Sequence, residues 1–318
     1  MNSIALTTDE KKETKVFSLP LLKQSIKSNW VLWLCSSFAM IVLISVINVI
    51  VVKFSKAGTD INQAALTPYV QALMAKGLSL EGLFEALGLP TIFSIISNSG
   101  VDGGNSILIT MYYTVVGFVL PMIYVIIVGN KLIAGQVDKG SLAFTLSTPT
   151  KRSAVAFTQA LFLIGSVFLM ILNNTAADIA STAIAGAEVD FANKILLNLG
   201  LFLTIFAISG IAYLSSCIFN LGKHSIGLSG GLSVIFYLCS ILAIFGQDRF
   251  VEIGMGNETM GIFKYFSIIT LFDTEAIGSL GSSNVNMAFI WEFTVLFAIG
   301  LICYFIGGKI FNKKDLPL

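Results

Sequence analysis

Charge is what this 318-residue chain has least of: Asp, Glu, Lys and Arg make up 12% of it, against 55% hydrophobic residues and a mean hydropathy of +0.86. Typical globular domains carry about twice that charged fraction, so a soluble domain with a solvated surface is excluded at the outset. Histidine is scarcer still, with His224 alone in the chain. A metal centre built on it has no second imidazole, and the thiols of Cys35, Cys217, Cys239 and Cys303 are dispersed through apolar runs. Those cysteines read as small packing residues rather than disulfide staples.

The motifs of common catalysts are missing as well. The chain contains no H-E-x-x-H, no G-x-S-x-G and no G-x-x-x-x-G-K-[ST] sequence. It reads as no enzyme by itself, with no bound cofactor, no metal and no nucleic-acid partner. Ser97–Asn105, SNSGVDGGN, is rich in glycine, but neither a strand before it nor a lysine-serine pair after it supports a phosphate loop, and turn formation accounts for it.

What the chain has in abundance is long apolar runs. A span needs roughly 20 successive apolar residues, and six stretches qualify: Trp30–Val52, Ile107–Gly129, Ala154–Leu172, Ile195–Phe219, Ile226–Gly246 and Met287–Ile306. The expected fold is all-α, a polytopic membrane protein with six transmembrane helices. Before the first span, Leu22, Ile26 and Trp30 recur every four residues beside Lys23 and Lys27. Residues 1–29 thus form a leader ending in an amphipathic interfacial helix, or else that helix simply extends the first span.

Basic residues set the orientation. With both termini cytoplasmic, thirteen lie inside, from the leader, Lys131–Arg152, Lys223 and the tail 307–318, against six outside. That bias follows the positive-inside rule. Outer connections of about 54, 22 and 40 residues remain, the first spanning 53–106 and the last 247–286. The first contains helical stretches Pro68–Lys76 and Leu78–Leu89. The last has an apolar middle, Ile262–Phe272, too short for another span, and is expected to form a broken re-entrant or interfacial element.

Three features inside the spans each have two readings. Pro121 removes a helical hydrogen bond and serves as a hinge, or makes a kink without function. Glu292 marks an ion path, or hydrates and snorkels near the headgroups. Gly227 and Gly231 form a small-residue face for helix packing, within the chain or between chains.

The segment Lys131–Arg152, KLIAGQVDKGSLAFTLSTPTKR, is too polar to cross a bilayer and too short to be a domain. Ile133, Val137, Leu142 and Leu146 give a helix an apolar side facing the bundle, leaving Gln136, Asp138, Lys139 and Ser141 to an aqueous partner. Thr148-Pro149 ends that helix, and Arg152 returns the chain to the membrane.

This segment, AGQVDKGSLAFTLSTPTKR, resembles the stretch after the second helix of exporter-type ATP-binding-cassette permeases of the type-two membrane class. Many of these read A-x-E-x-x-x-G-[ST]-hydrophobic-x-x-L-L-[SA]-[TR]-P-x-x-[RK]. Gln136 stands where many members have glutamate. The closing FNKKDLPL is similar to their basic tail. The resemblance implies that Ala134–Leu146 is a cytoplasmic coupling helix seated on a separate ATP-binding-cassette ATPase, present in two copies. Gln136, Asp138, Lys139 and Gly140 would make the contact, and Phe144 and Leu146 would position the helix. It also implies a second permease copy or a related permease, ATP and magnesium on the partner ATPase, and a multi-pass place among the lipids of a bacterial plasma membrane. Cargo would be a peptide, lipid or drug of hydrophobic or amphiphilic character. The alternatives are an ion-gradient-driven secondary transporter, which paired intramembrane charges would favour, and a non-transporting immunity or sensor protein.

Overall fold

The computed structural model describes residues 17–60, 109, 112–147, 151–246, 257–278 and 288–314. The expected helices at Pro68–Lys76 and Leu78–Leu89, the 97–105 loop, Thr148, Pro149 and the last four residues lie outside the described residues. So does the side chain of Leu146.

Six helices are long and apolar enough to cross a membrane: Leu19–Val52, Tyr112–Leu132, Arg152–Ile184, Phe191–Ile218, Gly222–Ile244 and Phe289–Lys313. The chain is an all-α, polytopic membrane protein. In order, its elements are α1 (Leu19–Asp60), a π-helical turn (Tyr112–Val116), α2 (Gly117–Leu132), α3 (Ala134–Asp138), α4 (Ser141–Ser147), α5 (Arg152–Ile184), α6 (Phe191–Ile218) and α7 (Gly222–Ile244). Two 3-10 turns (Glu258–Phe266 and Ile269–Leu271), α8 (Thr274–Gly278) and α9 (Ala288–Lys313) complete it.

The leader helix and the first span are one continuous helix. A separate helix lying flat along the headgroups is therefore not what forms; the alternative, extension of the first span, is. The reason lies on its buried side. Ser25 and Asn29 turn inward while Ile26 and Trp30 are exposed, because α5 presents polar partners to that face. The Ser25 hydroxyl donates to Gln159 Oε1 at 2.9 Å and the Trp33 indole donates to the Ser166 carbonyl at 2.8 Å. At the far end the Asn48 amide donates to Asp178 Oδ1 at 2.7 Å. The partner pairs rise together in number, so α1 and α5 run parallel along a polar seam. Each interhelical hydrogen bond of this kind contributes about 0.6 kcal/mol in a membrane bundle.

α5 extends well past Leu172, where the expected span stopped, and α6 begins at Phe191. The expected 22-residue connection shrinks to Ala185–Asp190. Gly186, at φ +79°, closes α5 in the left-handed conformation that glycine tolerates, and the Asp190 carboxylate caps α6 by accepting from the Asn193 amide at 3.1 Å. Asn173, Asn174 and Asp178 had the look of a loop start, yet they continue the helix.

α6 is the hub, touching α2, α5, α7, α8 and α9. Its contact with α9 is parallel and close, since Gly200 meets Phe293, Gly210 meets the backbone of Gly300, and Gly307 meets Tyr213. The Tyr304 hydroxyl, donating to Ser209 Oγ at 2.7 Å, ties the same pair. Between α7 and α9 the described residues are the two 3-10 turns and α8. Ile269, Phe272 and Ile277 are buried, and the Ser267 hydroxyl donates to the Phe236 carbonyl of α7 at 2.7 Å.

Candidate functional site: a buried ion pair and the connector at the basic end

Two polar constructions stand out, at opposite ends of the bundle. The first is centred on Asp178, about 39 Å along α5 from Arg152 at 1.5 Å per residue and only 1% exposed. Its Oδ1 accepts from Asn48 and forms a 2.5 Å ion pair with the Lys194 ammonium of α6, itself 14% exposed. Its Oδ2 accepts from the Tyr113 hydroxyl at 2.7 Å and from the Asn198 amide at 3.3 Å. Tyr112, the neighbour of Tyr113, donates to Asn174 Oδ1 at 2.7 Å, and Asn174 in turn donates to Asn198 Oδ1 at 2.9 Å.

The π-helical turn makes this possible. It brings the two consecutive tyrosine hydroxyls into one network, with the rings edge to face at 5.1 Å. That turn adjoins Gly117, the residue whose carbonyl lies four back from Pro121, where a proline ring clashes and a hydrogen bond is lost. Pro121, read as a hinge or as a kink without function, thus follows a departure from regular α-helix that serves the network.

Four helical segments, α1, the π turn, α5 and α6, converge on one carboxylate. Every donor around it is used, which is what a buried charge requires. Sequence reading placed Asp178 and Lys194 in an outer connection; both are helical, Asp178 buried and Lys194 partly buried. The signal that finds them is spacing: Asn174 and Asp178 on one helix, Lys194 and Asn198 on the next, each pair four residues apart on one face.

The second construction is the connector between α2 and α5. Ile133, Val137 and Leu142 are buried against the bundle, as their spacing predicts, while Asp138, Lys139, Gly140 and Phe144 are exposed, Phe144 by 80%. The single helix expected over Ala134–Leu146 is broken. Lys139 and Gly140 form a turn between α3 and α4, and Gly140 sits at φ +67° with open space around it. Strain from a side chain there, rather than a clash, makes Gly140→Ala costly. Its expected loss is about 1 kcal/mol, readable as a lower unfolding midpoint.

Asp138 turns back toward the chain. Its Oδ2 accepts from the Gly222 amide at 3.2 Å, placing a carboxylate at the positive N-terminus of α7. The Ala134 amide donates to Ser216 Oγ at 2.8 Å, fixing α3 to α6. Gln136 is partly exposed, but its Oε1 is buried and has no hydrogen-bond partner. Arg152 donates to the Lys314 carbonyl at 3.1 Å, and the Lys314 ammonium donates to the carbonyls of Cys217 and Ile218 at the end of α6. Burial holds that ammonium below the usual lysine pKa.

The remaining expected site residues separate from both constructions. A side chain added at Gly227 or Gly231 would meet nothing within 4 Å, so among the described residues nothing packs against that small-residue face, and its use between chains stays open. Glu292 lies on α9 and is 9% exposed. Among the described residues, no group of three or more His, Cys, Asp or Glu side chains is placed to hold a metal ion. Comparisons with protein-family models, with curated proteins and with solved structures found no match.

Proposed function

We propose that this chain is the membrane-spanning permease subunit of an ATP-driven exporter that moves a hydrophobic or amphiphilic cargo. The observation that carries this reading is the connector at the basic end. Its exposed turn, Asp138–Gly140, with Phe144 beyond it, projects from a base locked to α6 through Ser216 and to α7 through Asp138. A partner pressing on such a turn transmits the displacement to two spans at once.

In this reading a separate cytoplasmic ATPase, in two copies, binds ATP and magnesium and performs the hydrolysis. Gln136, Lys139, Gly140 and Phe144 meet it, with Leu146 supporting the same segment. Asp138 has a second duty, because its bond to Gly222 makes it an internal strut. A second permease, identical or related, completes the translocation path, and the broken element before α9 is its re-entrant part.

The test is extraction in mild detergent followed by identification of copurifying chains. A P-loop ATPase is expected with the parent protein, and Lys139→Glu should reduce its recovery about tenfold while membrane insertion is unchanged. Asp138→Lys is the less clean variant, since it also removes the α3 to α7 contact. A purified assembly without any ATPase would sink the reading.

One observation favours a second reading. The Asp178–Lys194 pair is the intramembrane charge pair that an ion-gradient-driven secondary transporter would use. Uptake or efflux in ATPase-free proteoliposomes, driven by an imposed ion gradient and lost in Asp178→Asn, would select it.

A further inference from the structure

Two buried carboxylates lie toward the end of the bundle opposite Arg152, and they are treated very differently. Asp178 receives hydrogen bonds from Asn48, Tyr113, Lys194 and Asn198. Glu292 is nine-tenths buried, yet its Oε2 is sealed from solvent without a single donor. An ionised carboxylate left in that state costs several kcal/mol, so the group either holds a proton or is met by a cation from outside the described contacts.

Its surroundings define which cation would fit. Asp273 and Lys264 are the charged neighbours of Glu292. Lys264 sits on an exposed 3-10 turn, and Asp273 opens α8, its Oδ1 accepting from the Ala276 amide at 3.0 Å. Aromatic residues neighbour the acid along the chain. Phe289 and Phe293 flank it on α9, edge to face at 5.7 Å, and Phe272 immediately precedes Asp273. Phe272 and Phe293 crowd the same notch at Gly200. The neighbouring Ile290 and Trp291 are exposed, an apolar surface next to the acid along the helix.

A hard divalent ion needs six or more oxygen ligands, and this place offers two carboxylates and rings. Carboxylate charge backed by aromatic faces suits a large, weakly hydrated organic cation instead. We propose that Glu292, assisted by Asp273, binds the cationic head of an amphiphilic organic cation, a protonated or quaternary amine or a phosphonium. This names the cargo class of the exporter reading and rests on that reading for the direction of movement; the binding itself needs no ATPase.

The experiment is a binding titration on the full chain in lipid nanodiscs, with tetraphenylphosphonium as probe and empty nanodiscs as the blank. Saturable binding is expected in the parent, at least tenfold weaker in Glu292→Gln, and retained within about threefold in Glu292→Asp, which keeps the charge. The neutral analogue tetraphenylmethane should not compete. Glu292→Gln should unfold at the same or a higher temperature, because it removes an uncompensated charge. Equal binding by Glu292→Gln, absence of saturable binding in the parent, or displacement by the neutral analogue overturns the site. If cation binding depends on Glu292 but no ATPase copurifies, the exporter reading alone fails. If an ATPase copurifies and cation binding ignores Glu292, the site alone fails.

Discussion

Replacing Asp178 with alanine is expected to destabilise the chain by about 3–5 kcal/mol, the largest effect of any single substitution considered. The cause is what it leaves behind. Lys194, 14% exposed, loses its counter-ion, while Asn48, Tyr113 and Asn198 lose their shared acceptor. Asp178→Asn keeps an acceptor and should lose less. The paired variant Asp178→Asn with Lys194→Gln should lose less than the sum of its single changes, because no unpaired charge remains. Unfolding midpoints in mixed micelles decide the matter. If the two losses simply add, the ion pair is not the element that closes this end of the bundle.

Gly210→Ala should be the next most damaging change, at about 1–3 kcal/mol. An added methyl would stand 2.9 Å from the Gly300 carbonyl oxygen and 3.0 Å from the Cys303 Cβ. Most of that obstacle is backbone, so it cannot be relieved by rotating a side chain, and α6 and α9 would have to separate. Separation would also stretch the hydrogen bond from Tyr304 to Ser209. Alanine at Gly227 should by contrast leave the monomer's stability unchanged, since open space surrounds it. Thermal unfolding of the two variants side by side gives the comparison, and equal midpoints would refute the close crossing.

These contrasts show what the sequence made legible. Six spans and the amphipathic side of the connector follow from apolar runs and from the spacing of Ile133, Val137 and Leu142, because hydrophobic burial is a property of single residues added along a helix. The polar network was misplaced because Asn174, Asp178 and Lys194 look like loop residues when each is judged alone. Only pairing across α1, α5 and α6 makes them tolerable inside, and pairing is not visible in one helix. Glycine spacing has the same limit. Gly227 and Gly231 have the familiar spacing of a contact face, yet the close helix crossing uses Gly210 and Gly300 on different helices. The break at Gly140 was legible in principle, as a glycine interrupting a short polar helix, but the apolar spacing concealed it.

The contacts of Asp138 and Lys314 divide the basic end into two knots of unequal stiffness. In one, Arg152, Lys314 and the carbonyls of Cys217 and Ile218 bind the ends of α5, α6 and α9. In the other, Asp138 holds the start of α7, a helix with far fewer buried residues than α6. A load applied at the Lys139–Gly140 turn therefore meets a firm abutment on one side and a compliant post on the other. Whatever covers the exposed side of α7, bilayer or a second copy of the chain, would then set how far the post yields, so that a mechanical parameter of this chain would lie in its surroundings rather than in any residue.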